Sequence, residues 1–290
     1  MSSIYLKTAA SRFGSLISSS TPGSPMTPRL IVTDLDGTLL DADHDLAPDT
    51  IATLRTLSEQ GHHLAFASGR HFRDMLVFRE RLGVPVHVIS TNGAYLHDHD
   101  DGLVAARHVD HELARDLIAL PRQAGVRLNL YHDDEWLIDA EAPHLLALHA
   151  HTGFGYRVAE PGELDGERVG KVLFIGDPLH VAELETEIRR RHGDRLHLTY
   201  SMETSLEIMA GGVNKGTALA SLLDSLGLEP EACLAFGDNL NDIEMLTLAG
   251  EAHVMGNARP ELRGRVPKAR LIGHHTEGAV AKCLRERFGL

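Results

Sequence analysis

The chain has few of the residues that staple a protein or anchor it in a membrane. It holds two cysteines in 290 residues, Cys233 and Cys283, far apart and in no CxxC pair. That excludes a disulfide scaffold and a cysteine metal knuckle, and both thiols read as reduced and structural in a cytosolic protein. No apolar run approaches the roughly 20 residues a membrane helix needs. Basic residues are short, at 28 Lys and Arg against 41 Asp and Glu, a formal charge of -13. The deficit argues against a nucleic-acid surface. It leaves an anionic substrate open, because a local cation, Lys or Arg can invert the field. Histidine is plentiful at 19, yet scattered or paired (His62-His63, His274-His275) with no HExxH, so no histidine metal site is expected. The first 25 residues lack acid, are rich in Ser and have no apolar secretory core. Residues 1–27 are therefore read as a disordered tail or an upstream mis-start, outside the fold.

What is present is an alternation of short apolar runs and amphipathic helices. Leu30 to Thr33, Leu64 to Ala67 and Val86 to Ile89 read as strands, separated by helices that begin at Pro48-Asp49 and near His71 and stop at Gly61 and Gly83. Strand–helix alternation with short polar joints predicts α/β architecture with a parallel sheet over 28–93, resuming over 206–290. Between them the rhythm changes. Tyr95-Leu96, Leu103 to Arg107, Arg127 to Tyr131, Trp136 to Asp139 and Gly170 to Ile175 read as strands. Helical stretches are expected near Asp110 to Gln123, Ala142 to Thr152 and Val181 to Arg191, so 94–205 is expected to form an inserted α+β domain.

The chemistry gathers at the strand ends. In IVTDLDGTLL (Ile31 to Leu40) an apolar strand stops at Asp34 and Asp36, which sit two apart and so project to one side. An ordinary Asp is ionised at neutral pH, so Asp34 can attack phosphorus without a separate base, by the aspartyl-phosphate route. Asp36 is placed to serve the leaving group and then the water, and neighbouring carboxylates favour the proton it must hold. A phosphoryl group needs donors and positive charge. Thr38, Ser68 and Gly69 can supply the donors, and Lys215, at a helix start in GGVNKG, the charge. That segment lacks the GxxxxGK[ST] spacing of a Walker loop. Mg²⁺ takes one or two carboxylates plus phosphate and water. Asp34 and Asp238 can provide them, with Asn241 and Asp242 of FGDNLND holding the ligands in place. Arg70 reads as a structural partner, Asn92-Gly93 as a turn, and Cys233 and Met245 as core.

DLDGTLL, SGR, NKG and GDNLND, in that order, resemble the four motifs of the haloacid dehalogenase superfamily. With MGNARPELR (Met255 to Arg263) and the insertion between Ser68 and Lys215, the chain resembles its Cof-type branch. The resemblance covers Arg29 to the C-terminus. It implies a Rossmann-like core with a cap over the catalytic strand ends, and a Mg²⁺-dependent phosphatase acting on a small phosphorylated metabolite. It also implies that Asp36 is the acid/base and gives its backbone carbonyl to the metal. Leu128 to Ile138 and Gly170 to Asp177 are expected to line the cap side of the site, with Tyr131, Trp136 and Lys171 as candidate substrate contacts. The resemblance and the aromatic pair favour a ring-bearing substrate, such as hydroxymethylpyrimidine pyrophosphate of the thiamine pathway or pyridoxal phosphate. Hydrolysis of a sugar phosphate, phosphotransfer to an alcohol as in a phosphomutase, and non-catalytic sensing of a phosphorylated ligand are the other readings of this core. Neither nucleic acid nor membrane is an expected partner.

Overall fold

The computed structural model describes residues 29–150, 152–160 and 162–290. The tail expected for residues 1–27 lies outside the described residues. Among these, no helix is long and apolar enough to cross a membrane. The chain opens with β1 (Leu30–Thr33), α1 (Pro48–Glu59), β2 (His63–Ala67), α2 (Phe72–Leu82) and β3 (His87–Ser90). Next, β4 (Tyr95–His97) and β5 (Leu103–Ala106) run antiparallel onto β3.

A second unit follows: α3 (His111–Ile118), β6 (Arg127–Tyr131), β7 (Trp136–Ile138), β8 (Arg157–Val158), β9 (Lys171–Ile175), α4 (Pro178–His192), β10 (Leu196–Met202) and β11 (Ser205–Ala210). The chain then returns through α5 (Lys215–Leu226), β12 (Cys233–Gly237), α6 (Ile243–Leu248), β13 (Glu251–Val254), α7 (Pro260–Arg265), β14 (Arg270–Leu271) and α8 (Ala279–Phe288).

The first sheet has the order β14-β13-β12-β1-β2-β3-β4-β5 and is parallel from β14 to β3. The α/β class expected from the strand–helix rhythm is the one observed. β1 lies inside, with Leu30 opposite Cys233 on one side and His63 on the other. Its residues LIVT are buried throughout, as a strand covered on both faces requires. Ile31, Phe66, Val88, Leu234 and Phe236 pack on one face, with residues of α1, α2 and α8. Leu30, Val32, Ala65, Ile89 and Ala235 pack on the other, with α5 and α6. α5 starts in a capping box between Asn214 and Thr217, which fixes where Lys215 enters.

The second sheet has the order β10-β11-β9-β6-β7-β8 and is antiparallel except for β7–β8. Period-2 alternation sorts its residues. Leu128, Leu130, Val172, Phe174, Leu206 and Ile208 pack with α3 and α4. The alternate set, including Tyr131, Lys171, Leu173, Ser205 and Glu207, lines a cavity facing the first sheet.

Sheet membership departs from the expected boundaries at 94 and 205. β4 and β5 extend the first sheet, and β11 belongs to the second. The antiparallel β3–β4 hairpin continues the core after the parallel rhythm has ended, and the β10–β11 hairpin was not expected from the sequence. α3 stops at Ile118 rather than Gln123, two residues before Leu120-Pro121, because the residue before a proline is pushed out of helical geometry. Pro143–His149 is a 3-10 stretch rather than an α-helix.

Candidate active site

Asp34, Ser68, the Thr91–Gly93 turn and Asp238 all follow the C-terminal ends of parallel strands, β1, β2, β3 and β12 in turn, where open parallel sheets bind ligands. Gly37 makes the first turn possible. Its φ is +78°, and a Cβ there would lie 2.5 Å from Asp238 Oδ2. The β1 and β12 loops are therefore in direct contact.

Lys215, fully buried, donates from Nζ to Asp34 Oδ1 at 2.6 Å and to Asp242 Oδ1 at 2.7 Å. The other Asp242 oxygen accepts from the backbone amides of Asp238 and Asn239 at 2.9 and 3.0 Å. Asp238 Oδ1 accepts the Thr38 hydroxyl at 3.0 Å. Ser68 Oγ accepts from the Arg70 amide at 3.1 Å, and Asn241 donates to Asn92 Oδ1 at 3.0 Å. The structure thus brings Asp34, Asp36, Thr38, Ser68, Gly69, Lys215, Asp238, Asn241 and Asp242 to one place. Thr38 and Lys215 stand behind the carboxylates, however, and do not line the cavity.

Asp34, Asp238 and Asp242 each offer an oxygen within 4.8 Å of the other two, a cluster able to hold a cation. Asp242 is already committed at both oxygens, so Asp34 and Asp238 are the carboxylates left for a metal. An all-oxygen donor pair beside a phosphate site suits a hard divalent ion. The electrostatics agree. Burial, helped by the charges of Asp242, Asp238 and Asp36, pushes the Asp34 carboxyl well above its ordinary range against the pull of Lys215. Burial and Asp242 push Asp238 up to about 7. The pair is short of positive charge, which a bound cation would supply. Asp34 is therefore not an ordinary Asp: its burial opposes ionisation while Lys215 favours it.

Asp36 departs from expectation in the opposite sense. Its two oxygens accept from Arg70 Nε and Nη2 at 2.6 and 2.7 Å, while Arg70 Nη1 reaches Asp74 Oδ2 at 2.8 Å. Burial alone would raise Asp36, but the Arg70 fork and charge outweigh it and hold the carboxyl below its usual range. The neighbouring carboxylates do not keep this group protonated. Arg70, read from sequence as merely structural, touches the acid/base candidate directly.

Cap residues close over these loops. Tyr131, Trp136, Leu145, Leu173, Ile175 and Met202 form an apolar wall of a cavity of about 390 Å³, whose other side holds Asp34, Asp36, Ser68 and Asp238. Tyr131 and Trp136 are cross-strand partners with stacked rings 5.5 Å apart, and Trp136 donates to Asn129 Oδ1 at 2.9 Å. Lys171, buried, donates to the Gly69 carbonyl at 2.8 Å and to Glu207 at 3.3 Å, and its Nζ lies 4.2 Å from the centre of the Tyr131 ring. Glu207 also accepts from Ser201 at 3.0 Å and from Asn92. The cap is thereby stitched to the β2 and β3 ends. Sequence reasoning missed Glu207 and Asp74, and read Asn92 only as the turn residue it also is. The available signal was a lone carboxylate amid the apolar alternation of SLEIMA.

With this geometry in hand, the relatives are informative. Residues 31–284 match the family model of haloacid dehalogenase-like hydrolases, and the chain belongs to that family. An HMP-PP phosphatase of Cronobacter sakazakii is 36% identical over 256 residues, 88% of this chain and 94% of that protein. One from Escherichia fergusonii is 35% identical with the same coverage. A solved haloacid dehalogenase-like hydrolase from B. subtilis superposes with a TM-score of 0.77 at 25% identity, covering 89% of this chain and 99% of that one. The enzyme is a phosphohydrolase of this family.

Proposed function

We propose that the chain is a Mg²⁺-dependent phosphatase working through an aspartyl-phosphate on Asp34, with hydroxymethylpyrimidine pyrophosphate as its substrate. The observation that carries the reading is the fixing of Asp34. Lys215 holds Oδ1, while Oδ2 takes no hydrogen bond from any described residue and the side chain lines the cavity. Held there, Oδ2 attacks phosphorus as the bond to the bridging oxygen breaks, and Asp36, which Arg70 holds ionised at rest and which must first take up a proton from solvent, gives that proton to the bridging oxygen. Water then attacks the aspartyl-phosphate, loses a proton to Asp36 and releases phosphate, which restores Asp34.

Mg²⁺, held by Asp34, Asp238 and the Asp36 carbonyl, would neutralise charge on the phosphoryl oxygens. Lys215 keeps Asp34 oriented, Ser68 donates to the phosphoryl group, and Asp242 and Asn241 hold the Asp238 and Asn92 loops. Thr38, with its hydroxyl on Asp238, orients that carboxylate. The 107–210 insertion serves as the cap that excludes water and chooses the substrate.

The apolar wall of Tyr131 and Trp136 suits an aromatic ring, and the names of the relatives point to a pyrimidine diphosphate. The two unpaired, buried cysteines suit a reducing cytoplasm. The test is phosphate release from a panel of phosphorylated metabolites with Mg²⁺ and with EDTA. Wild type should release phosphate only with metal and prefer the pyrimidine diphosphate, and Asp34→Asn should lose at least about 10³-fold in rate. Substantial turnover by that variant would refute the aspartyl-phosphate.

A further inference from the structure

Three cations serve this cavity, and they are not equally committed. Lys215 is buried between two carboxylates. Lys171 is buried against Glu207, the Gly69 carbonyl and the Tyr131 ring. Arg70 differs. It lines the cavity, and the fork it makes with Asp36 is to a carboxylate whose side chain is 43% exposed. Its remaining side-chain hydrogen bond, Nη1 to Asp74, is to a fully buried carboxylate, and the guanidinium lies 5.5 Å from the centre of the Phe78 ring. Asp74 is fixed in turn by the cap, through His149 Nδ1 at 2.9 Å and the Thr152 hydroxyl. Arg70 therefore has one permanent anchor and one exchangeable partner. That partner is the carboxylate that must reach the bridging oxygen of a substrate, so the guanidinium lies on the leaving-group side of the transferred phosphoryl.

We propose that Arg70 recognises a second phosphate adjoining the transferred one, so that the site selects diphosphates over monophosphates. This rests on the phosphatase reading above. A dianionic phosphate matches the guanidinium fork better than a single carboxylate does, and two parallel charge-assisted bonds reward the exchange. Moving to the substrate, Arg70 uncovers Asp36 at the moment the carboxylate is needed. Asp74 keeps Nη1 and holds the guanidinium at the leaving-group position throughout. A monophosphate ester whose leaving group is uncharged offers Arg70 nothing in return.

The test is calorimetric titration of wild type, Arg70→Gln and Arg70→Lys with methylenediphosphonate, a non-hydrolysable diphosphate, and separately with orthophosphate, at one fixed free Mg²⁺ concentration. Wild type should bind the diphosphonate at least about tenfold more tightly, the worth of one charge-assisted hydrogen bond. Arg70→Gln should bring the two ligands to within about twofold. Arg70→Lys, a point charge without the fork, should fall between and remains informative if the Gln variant does not fold. No preference in wild type, or a preference that survives in either variant undiminished, would overturn the proposal. Phosphate release by the wild-type protein from both a diphosphate (inorganic pyrophosphate) and a monoester (p-nitrophenyl phosphate) reads the phosphatase assignment separately. Silence toward both removes that assignment while the titrations still decide the role of Arg70.

Discussion

Asp238 is a carboxyl the fold holds at a cost, and Asp238→Asn should make the metal-free protein more stable. Its folded pKa of about 7 lies above the ordinary 3.8. A carboxyl that binds its proton more tightly folded than unfolded lowers stability as pH rises through that interval, here from about 4 to about 7. A displacement of about three pH units is worth on the order of 4 kcal/mol, a ceiling because Asp34 and Asp242 share the same field. Asn removes the charge and keeps an oxygen for the Thr38 hydroxyl, now 3.0 Å away. Urea denaturation followed by circular dichroism in EDTA should find the variant about 2–4 kcal/mol more stable than wild type near pH 8, and within about 1 kcal/mol of it near pH 4. Millimolar Mg²⁺ should stabilise wild type, more at the higher pH, and the variant far less. A variant less stable than wild type near pH 8 without metal would refute the reasoning. So would an equal effect at both pH values.

Lys215→Met should cost about 3–5 kcal/mol in the same denaturation assay, because it strands two buried carboxylates, and should abolish phosphate release. Gly37→Ala should lose at least about 1 kcal/mol from its left-handed backbone and lower the affinity for Mg²⁺ by displacing Asp238, read by metal titration of activity. Trp136→Phe should keep phosphate release from an aryl phosphate while changing relative rates across the metabolite panel. Unchanged ratios would remove Trp136 from substrate choice.

The chemistry was legible in the sequence wherever it depended on local geometry. DLDGT, SGR, NKG and GDNLND each fall at a strand end or helix start, and alternation alone places such ends along one edge of a parallel sheet. What escaped was whatever depended on distant partners. Asp34 and Asp36 look alike in sequence, yet burial and carboxylate neighbours raise one while Arg70 lowers the other. Asp74 looks like an ordinary acid in the first turn of α2 and is wholly buried. Glu207 reads as a solvent-facing charge until Lys171 and Asn92 are brought beside it. The β10–β11 hairpin was missed although LHLTYSM alternates strictly, with Leu196, Leu198 and Tyr200 on the side that packs into the cap core.

The crossing between the two sheets has a consequence for how such enzymes can be rebuilt. Ala94, Tyr95, Met209 and Val213 form one small cluster, with Ala106 and Ala210 packed against it, so the chain leaves the catalytic unit and re-enters it at neighbouring points. Everything between Ala106 and Ala210 is a continuous cassette with its own hydrophobic core. A short linker could close that gap at little entropic cost, and a foreign cassette could be spliced in without touching Asp34, Lys215 or Asp238. Substrate range in this architecture can thus change by exchange of one segment, while the phosphoryl chemistry stays where it is.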